Sequence, residues 1–178
     1  MIFTKLKIDG AYLIQIQRHE DERGFFARSW CQREFSEQGL NPRLVQCNLS
    51  YNKKLGTLRG MHYQGAPFQE AKVVSCISGA IYDVIIDIRP GSPTFGEHLG
   101  IKLDAQTHDM LYVPEGFAHG FLTLADETLV FYQMSEFYAP DYARGFRWND
   151  PAFNVQLPAE VRVISSRDAG YPDYVLEK

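Results

Sequence analysis

The segment from Lys72 to Arg89, KVVSCISGAIYDVIIDIR, sets two runs of apolar and β-branched residues on either side of Ser78-Gly79. Val and Ile are stiff at χ1 and pack well on a pleated surface, so a stretch of this kind commits the middle of the chain to sheet. Ser-Gly between two such runs predicts a β-hairpin. In the second run Asp83 and Asp87 are polar interruptions among Ile81, Tyr82, Val84, Ile85, Ile86 and Ile88. Further strands are expected at Tyr12–Gln17, Leu44–Tyr51, Thr57–Tyr63, Gly96–Leu103, Met110–Val113, Gly120–Leu124 and Leu129–Phe137. Turn signals separate them at Pro90-Gly91-Ser92-Pro93, Asp104–Asp109, Pro114-Glu115-Gly116 and Asp126-Glu127. One helix is expected over Gln32–Gln38, stopped by Gly39. Many short strands at regular spacing predict a sandwich or barrel rather than a parallel α/β sheet. The turn-rich tail after Pro151 is expected to wrap that barrel. No repeat, linker or low-complexity tract divides the chain, so residues 1–178 read as one domain.

Charge narrows the partners. The formal net charge is −4, which argues against a nucleic-acid-binding surface. No run approaches the ~20 apolar residues that span a membrane. The start, MIFTKLKIDG, lacks the apolar run of a secretory leader. Cys31, Cys47 and Cys76 are an odd set without CxxC spacing, expected as free thiols in a reducing cytoplasm, with Cys76 a buried strand residue.

Against this acidic background, basic groups gather around Gly56–Gln64, GTLRGMHYQ, and Lys72. A histidine between an arginine and a lysine suggests an anion held beside a base, hence a phosphorylated substrate undergoing proton transfer. A neighbouring cation disfavours the imidazolium and keeps His62 neutral, fit to act as a base. PEGFAHGF supplies a second histidine, His119, where a loop enters a strand. Each residue also has a plain reading. His62 could be a satisfied core histidine, Tyr132 a core aromatic, Arg23 a solvated turn charge and Asp168 a tail residue. Two histidines on strands of a small barrel raise the possibility of a metal. A metal-binding cupin shows HxH, a later Glu and a distant His. Here the pattern is His62-Tyr63-Gln64 with Glu70 and His119, and glutamine is a poor ligand, so no metal is expected.

The ordered set of motifs is more specific than any one of them. Asp21-x-Arg23-Gly24-x-Phe26, Gln46-x-Asn48, Leu58–Gln64, Lys72 and Gly79-x-Ile81-x-Asp83-Val84 are followed by Ser92-Pro93-Thr94-Phe95-Gly96 and Pro114-x-Gly116-Phe117-Ala118-His119-Gly120-Phe121. Tyr132, Tyr138-x-Pro140, Trp148-Asn149-Asp150-Pro151 and Ser166-x-Asp168 complete the series. This set, running through nearly the whole chain, resembles the dTDP-4-dehydrorhamnose 3,5-epimerase family. Those proteins are metal-independent cupins that act on nucleotide-linked 4-keto-6-deoxy sugars.

The resemblance implies a mainly β chain folded as a cupin-type jelly-roll barrel with few short helices. It implies an isomerase of the dTDP-rhamnose and polysaccharide pathways, converting dTDP-4-dehydro-6-deoxy-glucose to dTDP-4-dehydro-rhamnose without a cofactor. By resemblance His62 is the base, Tyr132 the acid, Asp168 the carboxylate paired with the histidine, and Lys72 the cation near the sugar carbonyl. Arg23 and Arg59 match pyrophosphate ligands. Gln46 and Asn48 match nucleoside contacts, Phe26 and Tyr138 aromatic walls, and His119 a second site histidine. The family is usually homodimeric, with part of each site supplied by the partner's N-terminal strands.

The chain departs from the family pattern in places. Arg28 stands where the family commonly has Glu. A carboxylate there accepts from thymine N3–H, and arginine cannot. Arginine instead suits acceptors on cytosine or guanine, or it swings to solvent or another phosphate. Ala143 replaces a common Glu, and Leu157 a common Trp. The alternatives are therefore a mono-epimerase of a CDP- or GDP-linked 4-keto sugar, a metal-dependent cupin enzyme, and a non-catalytic sugar-nucleotide-binding module.

Overall fold

A computed structural model describes residues 1–175. Its strands are β1 (Ile2–Lys5), β2 (Tyr12–Gln15), β3 (His19–Asp21), β4 (Gly24–Phe26), β5 (Gln46–Asn52), β6 (Thr57–Gln64) and β7 (Lys72–Ser78). They continue with β8 (Ala80–Asp87), β9 (His98–Asp104), β10 (Met110–Val113), β11 (Phe117–Thr123), β12 (Thr128–Met134), β13 (Ala143–Gly145) and β14 (Val163–Ile164). Two short helices, α1 (Gln32–Glu37) and α2 (Ser166–Ala169), and a 3₁₀ turn at Pro140–Tyr142 complete the elements. One sheet has the order β1-β2-β10-β7-β12-β5 and the other β13-β6-β11-β8-β9, with β14 joining β6 in parallel. Packed face to face, they form a cupin-type jelly roll. The β3–β4 pair stands apart as its own hairpin.

The near-continuous apolar runs have a direct cause: the central strands are buried on both faces. Val74 and Cys76 of β7, Val130 of β12 and Leu111 of β10 meet Ile81, Ile85, Leu103 and Phe121 of the opposite sheet. The outer face of the first sheet, including Val73, Tyr112 and Ile14, is covered by Phe35 of α1. Phe35 is fully buried, a contribution of about 1.5–3 kcal/mol. Its short helix ends in a Schellman motif: Leu40 N–H donates to the Phe35 carbonyl and Gly39 N–H to that of Ser36, with Gly39 at φ +71. The outer face of the second sheet is covered by the tail, through Phe146, Phe153 and Val155. The wrapping expected after Pro151 is therefore present.

The hairpin expected at Ser78-Gly79 is not. β7 pairs with β10 and β12, whereas β8 pairs with β9 and β11. Only Gly79, at φ +77, separates the two strands. A tight hairpin needs a two-residue loop, and a single left-handed glycine instead turns the chain from one sheet into the other. A tight hairpin near the N-terminus, β3–β4, does form, closing over Glu22-Arg23 with Asp21 accepting from the Arg23 N–H at 2.8 Å.

Candidate active site

A cavity of about 520 Å³ opens between the two sheets. From the second sheet β6 supplies Arg59 and His62, and β11 supplies His119; from the first come Gln46 and Asn48 of β5, Lys72 of β7 and Tyr132 of β12. Arg59 and His62 are three residues apart, and strict alternation would put them on opposite faces. A bulge resolves this. His119 pairs with His62 but Phe121 pairs with Arg59, so β6 carries one extra residue there. Gly60 makes the bulge possible. It sits at φ +130, and a Cβ there would collide with the Gly120 backbone.

The Gly60 N–H also donates to Asp168 Oδ2 at 3.2 Å, while Asp168 Oδ1 lies 2.8 Å from His62 Nε2. A carboxylate only accepts, so the Nε2 proton points at Asp168 and Nδ1 keeps the lone pair. Asp168 is 5% exposed, and its N–H donates to Ser165 Oγ at the start of α2. Burial lowers the His62 pKa, Asp168 opposes that shift, and Lys72 and His119 reinforce it. The imidazole is thus biased towards the neutral form although 41% of its side chain faces the open cavity. Burial raises the Tyr132 pKa, with Arg59 opposing, so the phenol keeps its proton.

Lys72 is buried and reaches Glu70 at 2.8 Å. His119 forms a second histidine–carboxylate pair, Nε2 to Asp83 Oδ1 at 2.6 Å. Asp83 has no exposed surface, and among the described residues its Oδ2 has no hydrogen-bond partner. Arg59 donates from Nε to Asn52 Oδ1 at 2.7 Å. Gln46 Nε2 donates to Asn48 Oδ1 at 3.3 Å, and Gln46 Oε1 accepts from the Tyr138 N–H at 3.1 Å. Tyr138 stands half exposed on the rim.

Three expected ligands are elsewhere. Arg23, Phe26 and Arg28 belong to the N-terminal hairpin and the segment after it, and none lines the cavity. Arg23 pairs with Asp21, Phe26 is 73% exposed, and Arg28 donates to Glu34 at 2.8 Å. Conversely, Arg167 and Arg144 line the cavity without having been singled out in the sequence. Arg167 directly precedes Asp168 in α2, and its Nε donates to the Tyr171 hydroxyl at 2.9 Å. In the sequence Asp83 reads as an interruption in a strand and a member of a family motif, and Glu70 as a possible metal ligand, with neither marked as a partner of His119 or Lys72. Among the described residues no three His, Cys, Asp or Glu side chains converge as a metal-ligand set.

Comparison with known proteins places this architecture. Residues 5–175 match the family described as dTDP-4-dehydrorhamnose 3,5-epimerase. The chain is 40% identical over 172 residues to the dTDP-4-dehydrorhamnose 3,5-epimerase of Methanothermobacter thermautotrophicus, covering 95% of this chain and 92% of the relative. The crystal structure of the dTDP-4-dehydrorhamnose 3,5-epimerase from Elizabethkingia anophelis aligns with a TM-score of 0.94 at 34% identity, over 98% of this chain and 96% of that one. The Bacillus anthracis enzyme, solved with TDP and PPi bound, aligns with a TM-score of 0.93 at 37% identity, over 97% and 99% of the two chains. A match of this extent, on a jelly roll that presents His62 and Tyr132 to one cavity, assigns the chain to the dTDP-4-dehydrorhamnose 3,5-epimerase family.

Proposed function

We propose that this protein epimerises a dTDP-linked 4-keto-6-deoxy-hexose at C3 and C5, with His62 as base and Tyr132 as acid. The observation that carries the residue roles is the placement of these two side chains on opposite walls of one cavity. The C4 ketone acidifies the hydrogens on C3 and C5. His62 Nδ1 takes the proton from one face, and the electron pair delocalises onto the C4 oxygen as an enolate. Asp168 steadies the imidazolium that results. The Lys72 ammonium, which lines the same cavity, stabilises the oxyanion. Tyr132 returns a proton to carbon from the other face, completing the inversion with no net gain or loss of atoms. Arg59, Gln46, Asn48, Tyr138 and His119 hold the diphosphate, nucleoside and sugar.

The same reading makes the protein a one-domain, cytoplasmic homodimer in which the partner's β3–β4 hairpin and the segment after it bring Arg23, Phe26 and Arg28 to the nucleotide. Support comes from their exposure and their position outside the protomer's own cavity. Incubation with dTDP-, CDP- and GDP-linked 4-keto-6-deoxy-hexoses in D₂O, followed by NMR at C3 and C5, tests the activity. Deuterium at both carbons of the dTDP sugar, with inverted product and no added metal or nicotinamide, is expected. Label at one carbon only would make the protein a mono-epimerase. No label in any sugar offered would leave a binding module.

A further inference from the structure

Gln64 follows His62 by two residues on β6 and is 4% exposed. Its side chain makes three hydrogen bonds, none to its own sheet. Its Nε2 donates to the carbonyls of Phe68 at 2.8 Å and Phe137 at 3.2 Å, and its Oε1 accepts from the Ala139 N–H at 2.7 Å. The segment at its far end lies beyond β12, between Met134 and the turn at Pro140, where no ladder holds it. The Phe137 N–H reaches only the Glu136 side chain beside it, and the Tyr138 N–H is taken by Gln46. Among the described residues, the hydrogen bonds that tie residues 137–139 to the sheets therefore come from two glutamine side chains. Tyr138 rides on this tether at the cavity rim and interacts with both Tyr132 and Arg167.

We propose that Gln64 is a positioning residue that suspends Tyr138 from the strand carrying His62, and so sets the aromatic wall against which the nucleotide sugar is held. The inference rests on the function proposed above and adds a residue whose amide bonds are all made to protein backbone. Both ends of the amide are used, so its replacement leaves two part-buried carbonyls without their donor. A residue that the sequence offers as a motif member and a poor metal ligand becomes a strut between the proposed base and the wall of the site.

Gln64→Glu keeps the shape and replaces the donor by an acceptor that faces two carbonyls. Its Kd for dTDP should rise about tenfold, while deuterium wash-in at saturating substrate stays within about threefold of wild type. Protonating the new carboxyl restores one O–H donor. The binding deficit relative to wild type should therefore narrow as pH falls, a response that simple loop loosening does not give. Tyr138→Ala should weaken dTDP binding by a similar factor, and Gln64→Glu added to it should cost nothing more. Additive losses in the double variant, or slowed saturated wash-in with unchanged dTDP binding, overturn the inference. Should Gln64→Glu not fold, Gln64→Met closes the same double-mutant cycle with the same two outcomes. A wild-type protein that neither binds dTDP nor exchanges deuterium refutes the proposed function instead; one that does both while the losses add refutes only the role of Gln64.

Discussion

At the end of the cavity where the proton transfers are proposed, the titratable groups arrive with partners from their own chain: His62 with Asp168, Lys72 with Glu70, His119 with Asp83. The groups proposed for the nucleotide end are placed differently: Arg23 and Arg28 make ion pairs outside the cavity and Phe26 faces solvent. The first end is fixed by strand register and one short helix, so folding a single chain assembles it. The second end, on the dimer reading, waits for another copy. Chemistry and recognition therefore respond to different perturbations. Within the first end the two histidine pairs also differ. The Asp168 carboxylate has both oxygens bonded, and its histidine is open to the cavity; among the described residues the Asp83 carboxylate has one oxygen unpartnered, and its histidine is buried. An open imidazole with a free lone pair can move a proton, whereas a closed one is better suited to hold an orientation.

The sharpest test of that contrast is His62→Ala against His119→Asn. His62→Ala should lose deuterium wash-in at every exchangeable carbon, a fall of about 10⁴-fold, the upper end of what a general base supplies. Its dTDP affinity should stay within about threefold of wild type, because the nucleotide end is untouched. His119→Asn should lose about tenfold, chiefly in KM. Equal losses of saturated wash-in in the two variants would erase the distinction between the pairs. Asp168→Asn comes next, at about 10²–10³-fold, because an amide can present a donor to Nε2 and disturb the tautomer. Its pH profile carries a second reading. Catalysis needs neutral His62, so kcat/KM falls as pH drops through a pKa that burial already lowers and Asp168 holds up. Removing the carboxylate should move this acid limb further down in pH; a limb that moves up would contradict the pairing. Tyr132→Phe should cut inverted product about 10²-fold while wash-in by the base persists, measured by NMR on one sample. Undiminished inversion would reassign the acid.

The dimer reading is open to a complementation test of smaller amplitude. An Arg23→Ala variant has an intact proton-transfer end, and His62→Ala has an intact hairpin. Mixing the two weakly active proteins under subunit exchange should produce activity above either alone, because one site of each hybrid takes both good halves. Activity that remains the simple average of the two would show that each chain uses its own Arg23.

The contrast between the two ends also sorts what could be read from the sequence. Met110–Val113 matches β10 residue for residue, and Gln32–Gln38 covers α1, since hydrophobic pattern and a stop glycine are local signals. His62 and Lys72 stood out because basic residues cluster in an acidic chain. The bulge that turns Arg59 and His62 to the same side was not legible, because alternation counts residues and cannot see an extra one. The hairpin at Gly79 was misread for a related reason: apolar runs announce strands but do not name their sheet. Asp168 has no local mark of function. It lies 106 residues from His62 in the chain and meets it only because the tail brings α2 against β6. Gln64 is legible as a motif member and as something a metal would reject but not as a strut, since its actual partners are backbone groups of other loops.

Arg28 should give the smallest effect and the most informative one about the unfinished end. In the protomer its guanidinium donates to Glu34, which also binds the Met1 ammonium at 2.7 Å, and these two cations keep the Glu34 carboxyl below its ordinary pKa. The pair is exposed, so on the dimer reading Arg28 can exchange Glu34 for a nucleobase held by a second copy. Thymine offers a donor at N3 between two acceptors, and a guanidinium answers only the acceptors. Arg28→Glu supplies the missing acceptor and should strengthen dTDP relative to CDP and GDP by about tenfold in competition binding. Because this change also sets a carboxylate beside Glu34, Arg28→Gln is the cleaner partner experiment. Its Oε1 accepts without adding charge, so it should move dTDP preference the same way by a smaller factor. An unchanged preference in both variants would confine Arg28 to its contact with Glu34 and leave selection of the base to Gln46, Asn48 and Tyr138.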